Sequence, residues 1–175
     1  NLRQMVDHEN DLIGQRLLRS GNITEDDLAR ALQLQESMGG RLGSALIKLG
    51  SISEDHLLVG LAEQLDLPVL LEHEIPDSTE LFQFMSEQKE NFDWFLAQEV
   101  IIWENGNGTL VCIARDILDP GVTETLRQFH PGSSIDYALT TTYHLEKILA
   151  DLNREHSVDS LFHDNEDARQ LKELA

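Results

Sequence analysis

The sequence predicts an α+β fold: a tandem repeat of helix pairs forming a four-helix subdomain, then a small β-β-α-β-α sheet subdomain. Three observations carry this. Residues 12–35, LIGQRLLRSGNITEDDLARALQLQ, are restated by residues 41–64, RLGSALIKLGSISEDHLLVGLAEQ. Two strand-like runs, EVIIW and TLVCIA, flank ENGNG, a strong hairpin signal with Asn107-Gly108 at the turn. Beyond the hairpin, helical and strand-like stretches alternate up to residue 155.

The two copies are related by a constant offset of 29 residues, which pairs Gly14 with Gly43, Leu17 with Leu46, Gly21 with Gly50 and Ile23 with Ile52. The match continues through Glu25/Glu54, Asp26/Asp55, Leu28/Leu57, Leu32/Leu61 and Gln35/Gln64. Each copy reads as a helix closed by Gly21 or Gly50, a short hydrophobic link, and a second helix opened by the cap residue Thr24 or Ser53. In that second helix Leu28, Leu32 and Gln35, like Leu57, Leu61 and Gln64, follow i, i+4, i+7 spacing and share one face. A polar residue ending an apolar stripe needs a partner: a backbone group, its twin in the other copy, or a ligand. Gly14 and Gly43, early in their helices, each cost roughly 1 kcal/mol against alanine. Close approach of another backbone or of a ligand would offset that.

After LDLPVLL (65–71) the acidic stretch EHEIPDSTE turns at Pro76-Asp77 and marks a subdomain boundary. The expected organisation is a helical subdomain over 1–71, a small α/β subdomain over 72–153, and an acidic tail or linker over 154–175. Within the second, a helix is expected near 79–90, then the hairpin, then a helix opened by Asp119 as cap and Pro120 at its first position. SIDYAL (134–139) reads as the third strand and TTYHLEKILADLNRE (141–155) as the last amphipathic helix.

Thirteen basic against 32 acidic residues leave a net charge of −19. Such a field repels DNA, RNA and anionic membrane surfaces, while a small anion held by one or two placed arginines stays possible. Cys112 is the single cysteine, so no internal disulfide forms, and it reads as a small buried hydrophobe. No run of 18 apolar residues and no signal peptide occurs, which predicts a soluble segment without membrane insertion of its own. A chain opening on Asn1 rather than methionine reads as a piece of a longer protein. The seven histidines lack metal-ligand spacing, no Walker pattern is present, and no carboxylate pair lies in a catalytic motif, so neither a metal, a cofactor nor an enzymatic activity is expected. Trp94 and Trp103 read as packing residues.

The repeat, taken whole, has the form Arg-Leu-Gly, spaced apolar positions and a glycine, then Leu-x-x-x-Leu-x-x-Gln, twice over 24 residues with the spacer ESMGG (36–40) between. It resembles the MshEN domain, the N-terminal domain of type II secretion and type IV pilus assembly ATPases, which in many members binds cyclic di-GMP. The resemblance extends to about residue 150. It implies a pseudosymmetric site in which each copy grips one half of a two-fold ligand. The residue chemistry fits: arginine for phosphate or a guanine edge, glycine for close approach, leucines over the base faces, glutamine for orientation.

Carried over, the second copy is complete with Arg41, Leu42, Gly43, Leu57, Leu61 and Gln64. The first retains Gly14, Leu28, Leu32 and Gln35, with Ile13 in place of leucine and Leu12 in place of the arginine. Asp116 matches the family's Asp-Pro aspartate, although Ile117 replaces the proline. The resemblance thus implies a bacterial, cytoplasmic regulatory module, at the inner face of the inner membrane through its parent, which is a secretion or pilus ATPase or one of the membrane glycosyltransferases that carry similar domains. The alternative is the same fold without ligand, acting as a protein-protein docking domain between the parent and its membrane machinery.

Overall fold

Two helix ends built alike frame the N-terminal part of the computed structural model, which describes residues 13–174. Residues 13–19 form α1 and Leu42–Lys48 form α3. After α1, Gly21 adopts φ 76°, its N–H bonding Leu18 O at 3.1 Å while Asn22 N–H bonds Leu17 O at 3.0 Å. After α3, Gly50 adopts φ 70°, with Gly50 N–H to Ile47 O at 3.0 Å and Ser51 N–H to Leu46 O at 2.9 Å. The left-handed backbone that this paired closure needs is open to glycine at little steric cost. Each copy of the repeat then buries an isoleucine, Ile23 or Ile52, and reaches its cap. Thr24 Oγ1 accepts from Asp27 N–H at 3.1 Å to open α2 (Glu25–Met38), and Ser53 Oγ accepts from His56 N–H at 3.2 Å to open α4 (Glu54–Leu65).

The chain divides into two units, one of residues up to 70 with 138–141, the other of 71–137 with residues from 142 on. In the first, the repeat-related pairs Ile13/Leu42, Leu17/Leu46 and Ile23/Ile52 lie in one buried cluster together with Ala31, Ala45 and Leu57. Residues 138–141 join this unit because Leu139 N–H bonds Pro68 O at 2.9 Å and Leu70 N–H bonds Leu139 O at 2.7 Å. The run expected as a single strand over 134–139 is therefore split between two pairings.

In the second unit a short 3-10 turn, Glu72–Glu74, leads to α5 (Ser78–Ser86) and α6 (Phe92–Gln98). Then β1 (Val100–Glu104) and β2 (Leu110–Ala114) pair antiparallel, with Ile102 opposite Cys112. The hairpin turn is closed by Gly108 N–H to Asn105 O at 3.2 Å, and Asn105 Oδ1 takes the N–H groups of Asn107 and Thr109 at 3.0 and 3.2 Å. Helix α7 (Pro120–Phe129), capped by Asp119, crosses over to β3 (Ile135–Tyr137), which lies parallel to β2 and completes the order β1-β2-β3. The last helix, α8 (Thr142–Glu173), continues well past the expected end at 155. Nothing in residues 156–173 breaks a helix: the stretch holds no proline or glycine. Cys112 is fully buried in β2, and burial pushes its thiol up to about 12. Trp103 is buried in β1, and Trp94 packs edge-on to Phe95 at 5.4 Å.

Helix α6 was not expected from the sequence, and its exit explains why. Glu99 closes it in the left-handed conformation, φ 54°, where glycine would have been the visible signal. Arg115 holds this glutamate from 16 residues away, through Nε to Oε2 at 3.0 Å and Nη2 to Oε1 at 3.1 Å, and its own N–H bonds Glu99 O at 3.1 Å. The Arg115 hydrogen bond holds the Glu99 carboxyl below its ordinary value, partly offset by desolvation. A depressed carboxylate pKa contributes stability above the ordinary value of 4.5 that is lost as pH falls through the folded pKa. Arg115→Gln is accordingly expected to cost less than about 1 kcal/mol at neutral pH, since both partners are over a third exposed, and nothing at about pH 2. Urea unfolding of both chains across that range checks it; a cost independent of pH would refute the assignment.

Candidate functional site

The implied site residues fall mainly on the repeat, and their surroundings differ between copies. Gly43 in α3 lies under Leu57 of α4: a Cβ there would stand 2.8 Å from Leu57 Cδ2 and 3.1 Å from Cδ1. Gly14 in α1 lies the same way under Leu28 of α2, 3.0 Å from its Cδ1, with Leu42 Cδ2 at 3.1 Å. The glycine cost seen in the sequence is thus offset by leucine side chains of the following helix rather than by a backbone. Leu42 is fully buried and Ile13 is 3% exposed, so both act in this conformation as core residues beneath the site.

The stripe along α2 and α4 is graded. Leu57 is buried and Leu61 half-buried against the core, while Leu28 is half-buried and Leu32 is 41% exposed. The first copy consequently offers more apolar surface to a ligand than the second. Of the two glutamines, Gln35 donates from Nε2 to Gly40 O at 3.0 Å. Its partner is therefore a backbone group in the spacer, and it holds the Gly39-Gly40 segment immediately before Arg41. Gln64 is half-buried in the last turn of α4. Arg41 itself is half-buried and is the N-cap residue of α3, with extended backbone, φ −86° and ψ 148°.

Leu12, where the first copy lacks its arginine, lies outside the described residues. Arg16, one turn on in α1, faces Glu63 of α4 at 3.6 Å, an exposed ion pair linking the two copies. A second link joins them: Ser51 Oγ donates to Asp27 Oδ1 at 3.4 Å. The Thr24 backbone N–H, helped by the Thr24 hydroxyl and Arg30, holds the Asp27 carboxyl below its ordinary value. Asp116 belongs to the second unit, in the turn after β2, where its Oδ1 accepts Leu118 N–H at 3.1 Å. Sequence reasoning missed Gly60, whose missing Cβ leaves room for Ile13 Cδ1 and Leu17 Cδ2, both 3.3 Å from where it would stand. Its repeat counterpart is Ala31, fully buried, and the shared smallness of this pair was the available signal.

Chemically, the first unit presents the half-buried Arg41 guanidinium and a graded leucine stripe along α2 and α4, the two helices opened by matched caps. A guanidinium and apolar side chains are the groups that can hold a planar, anionic molecule. No protein-family model matches the chain, and no curated protein matches it. Among solved structures, MshE with cdg (cyclic di-GMP) is similar at 26% sequence identity and a TM-score of 0.64, over 79% of this chain and 96% of that one. The N-terminal domain of XpsE is similar in fold, at 19% identity and a TM-score of 0.62, over 81% of this chain and 93% of that one. The structural neighbours of this α+β chain are thus MshE and the XpsE N-terminal domain, consistent with an MshEN-type domain of the secretion and pilus ATPases.

Proposed function

We propose that the chain is a non-enzymatic regulatory module that binds cyclic di-GMP through its two tandem motifs and controls a larger parent protein, either a secretion or pilus ATPase or a membrane glycosyltransferase. The observation that supports this most is the repeat-related pair of glycine-leucine contacts, Gly14 with Leu28 and Gly43 with Leu57, in a chain similar to a protein solved with that dinucleotide. A pseudosymmetric site is the economical way to grip a two-fold ligand. In this reading Arg41 supplies the charge-assisted contact, Leu28, Leu32 and Leu61 cover the bases, and Gln35 sets the spacer that presents Arg41. The module works in the cytoplasm beside the inner membrane through its parent. The second reading is a docking domain of the same fold that has lost the ligand, and it is favoured by Leu12 standing where an arginine would complete the first motif.

Isothermal titration with cyclic di-GMP, on the natural chain beside Arg41→Ala and Leu12→Arg, separates the two. One charge-assisted contact is worth about 1.5–3 kcal/mol. The sensor reading expects binding by the natural chain, weakened about ten- to a hundredfold in Arg41→Ala and tightened by a similar factor in Leu12→Arg. Heat from Leu12→Arg alone would mean a site lost through its first copy. Silence from all three chains would leave the docking reading.

A further inference from the structure

We propose that the second unit carries a docking groove between α5 and α8 for a cationic amphipathic helix of another protein. The groove encloses about 620 Å³. Its apolar floor is Phe82 of α5 with Val158 and Phe162 of α8, the last two 51% and 69% exposed. Its rim is acidic: Asp151, Glu155 and Asp159 line the same face of α8 at helical spacing, against the single cation Arg154. Two of these carboxylates are already oriented. Asp151 Oδ2 accepts the Ser78 hydroxyl at 3.1 Å and pairs with Arg154, and Glu155 Oε1 accepts the Thr79 hydroxyl at 3.1 Å. From position 151 to 162 this face runs about 16 Å, matching three turns of a docked helix.

Charge selects the occupant. A protein of net charge −19 repels a second copy of itself, nucleic acid and anionic lipid alike, whereas a partner carrying Lys or Arg beside an apolar stripe meets both the rim and the floor. The aromatic floor rules against a purely electrostatic tether, because Phe162 and Val158 would remain exposed under one. The surface does not rest on the tandem motifs binding a nucleotide, and its test uses none.

The probe is a helical Leu/Lys peptide about 18 residues long, with leucines on one face, titrated into the full chain and followed by fluorescence anisotropy. Saturable binding at one peptide per chain is expected. Phe162→Ala and Asp159→Lys should each weaken it at least about tenfold, while Asp136→Lys, at the exposed position of β3, leaves it unchanged. Phe162 and Asp159 are exposed on a helix, so both variants keep the fold, which circular dichroism verifies. Equal affinity for all variants would mean diffuse attraction to an acidic surface and would overturn the proposal. So would absence of binding, or a chain dimer in sedimentation that Phe162→Ala dissociates.

Discussion

Leu46→Ala should destabilise the first unit by about 2–5 kcal/mol and loosen the residues of the second motif with it. Leu46 is fully buried, and its repeat partner Leu17 lies in the same cluster at 1% exposure. Truncation leaves a cavity between helices whose positions are fixed by glycine closures and side-chain caps, so the site has little freedom to collapse. Helix α3 is only seven residues long, far too short to persist without its packing. Arg41 stands at the N-cap position of that helix and Leu42-Gly43 begin it, so a loss of packing at Leu46 disorganises all three residues. Urea unfolding measures the cost, with Leu32→Ala as the comparison. Leu32 is 41% exposed and its truncation should change stability by less than about 0.5 kcal/mol. Similar midpoints for the two variants would show that the paired leucines are not the core of this unit.

His130→Ala should cost on the order of 3 kcal/mol through a different mechanism. Glu90 is 4% exposed, and its Oε1 lies 2.6 Å from His130 Nε2. Among the described residues its Oε2 has no hydrogen-bond partner. Removing the imidazole therefore strands the whole carboxyl group in a place closed to water. Glu90 directly precedes Asn91, the cap of α6, and His130 closes α7 through its N–H to Leu126 O at 3.0 Å. The pair thus ties the start of one helix to the end of another. Replacing both residues with leucine should recover most of the loss, because no polar group is then left buried. Thermal unfolding of His130→Ala and of the double variant decides the matter. A double variant as unstable as the single one would mean that the pair's geometry, and not a stranded carboxyl, carries the effect.

Where the chemistry is local, the chain could be read directly. The closures at Gly21 and Gly50, the caps Thr24, Ser53 and Asp119, and the hairpin around Asn105–Gly108 all depend on residues within a few positions of one another. Helix α6 could not, since its left-handed end at Glu99 is held by Arg115, just past the end of β2 and 16 residues on. The end of α8 stayed open between helix and linker in the sequence, because a polar, acidic stretch looks the same as either when no breaker decides between them.

The same division runs through the candidate site. By itself the sequence determined the tandem repeat, the helix pairs and the hairpin, because repeat spacing and cap chemistry are written in consecutive positions, whereas the residue set around Arg41 was implied by the resemblance of the repeat. Tertiary structure alone decided the surroundings of several residues in that set. It buried Leu42 and Ile13 beneath the site, left Leu32 open, gave Gln35 to the Gly40 carbonyl, and assigned the glycines to leucines of the neighbouring helix. It also returned residues 138–141 to pair with 68–70, some 70 positions earlier. Periodicity names the face on which a side chain lies, but how deep that face sinks depends on what packs against it, and that is set by residues distant in the chain.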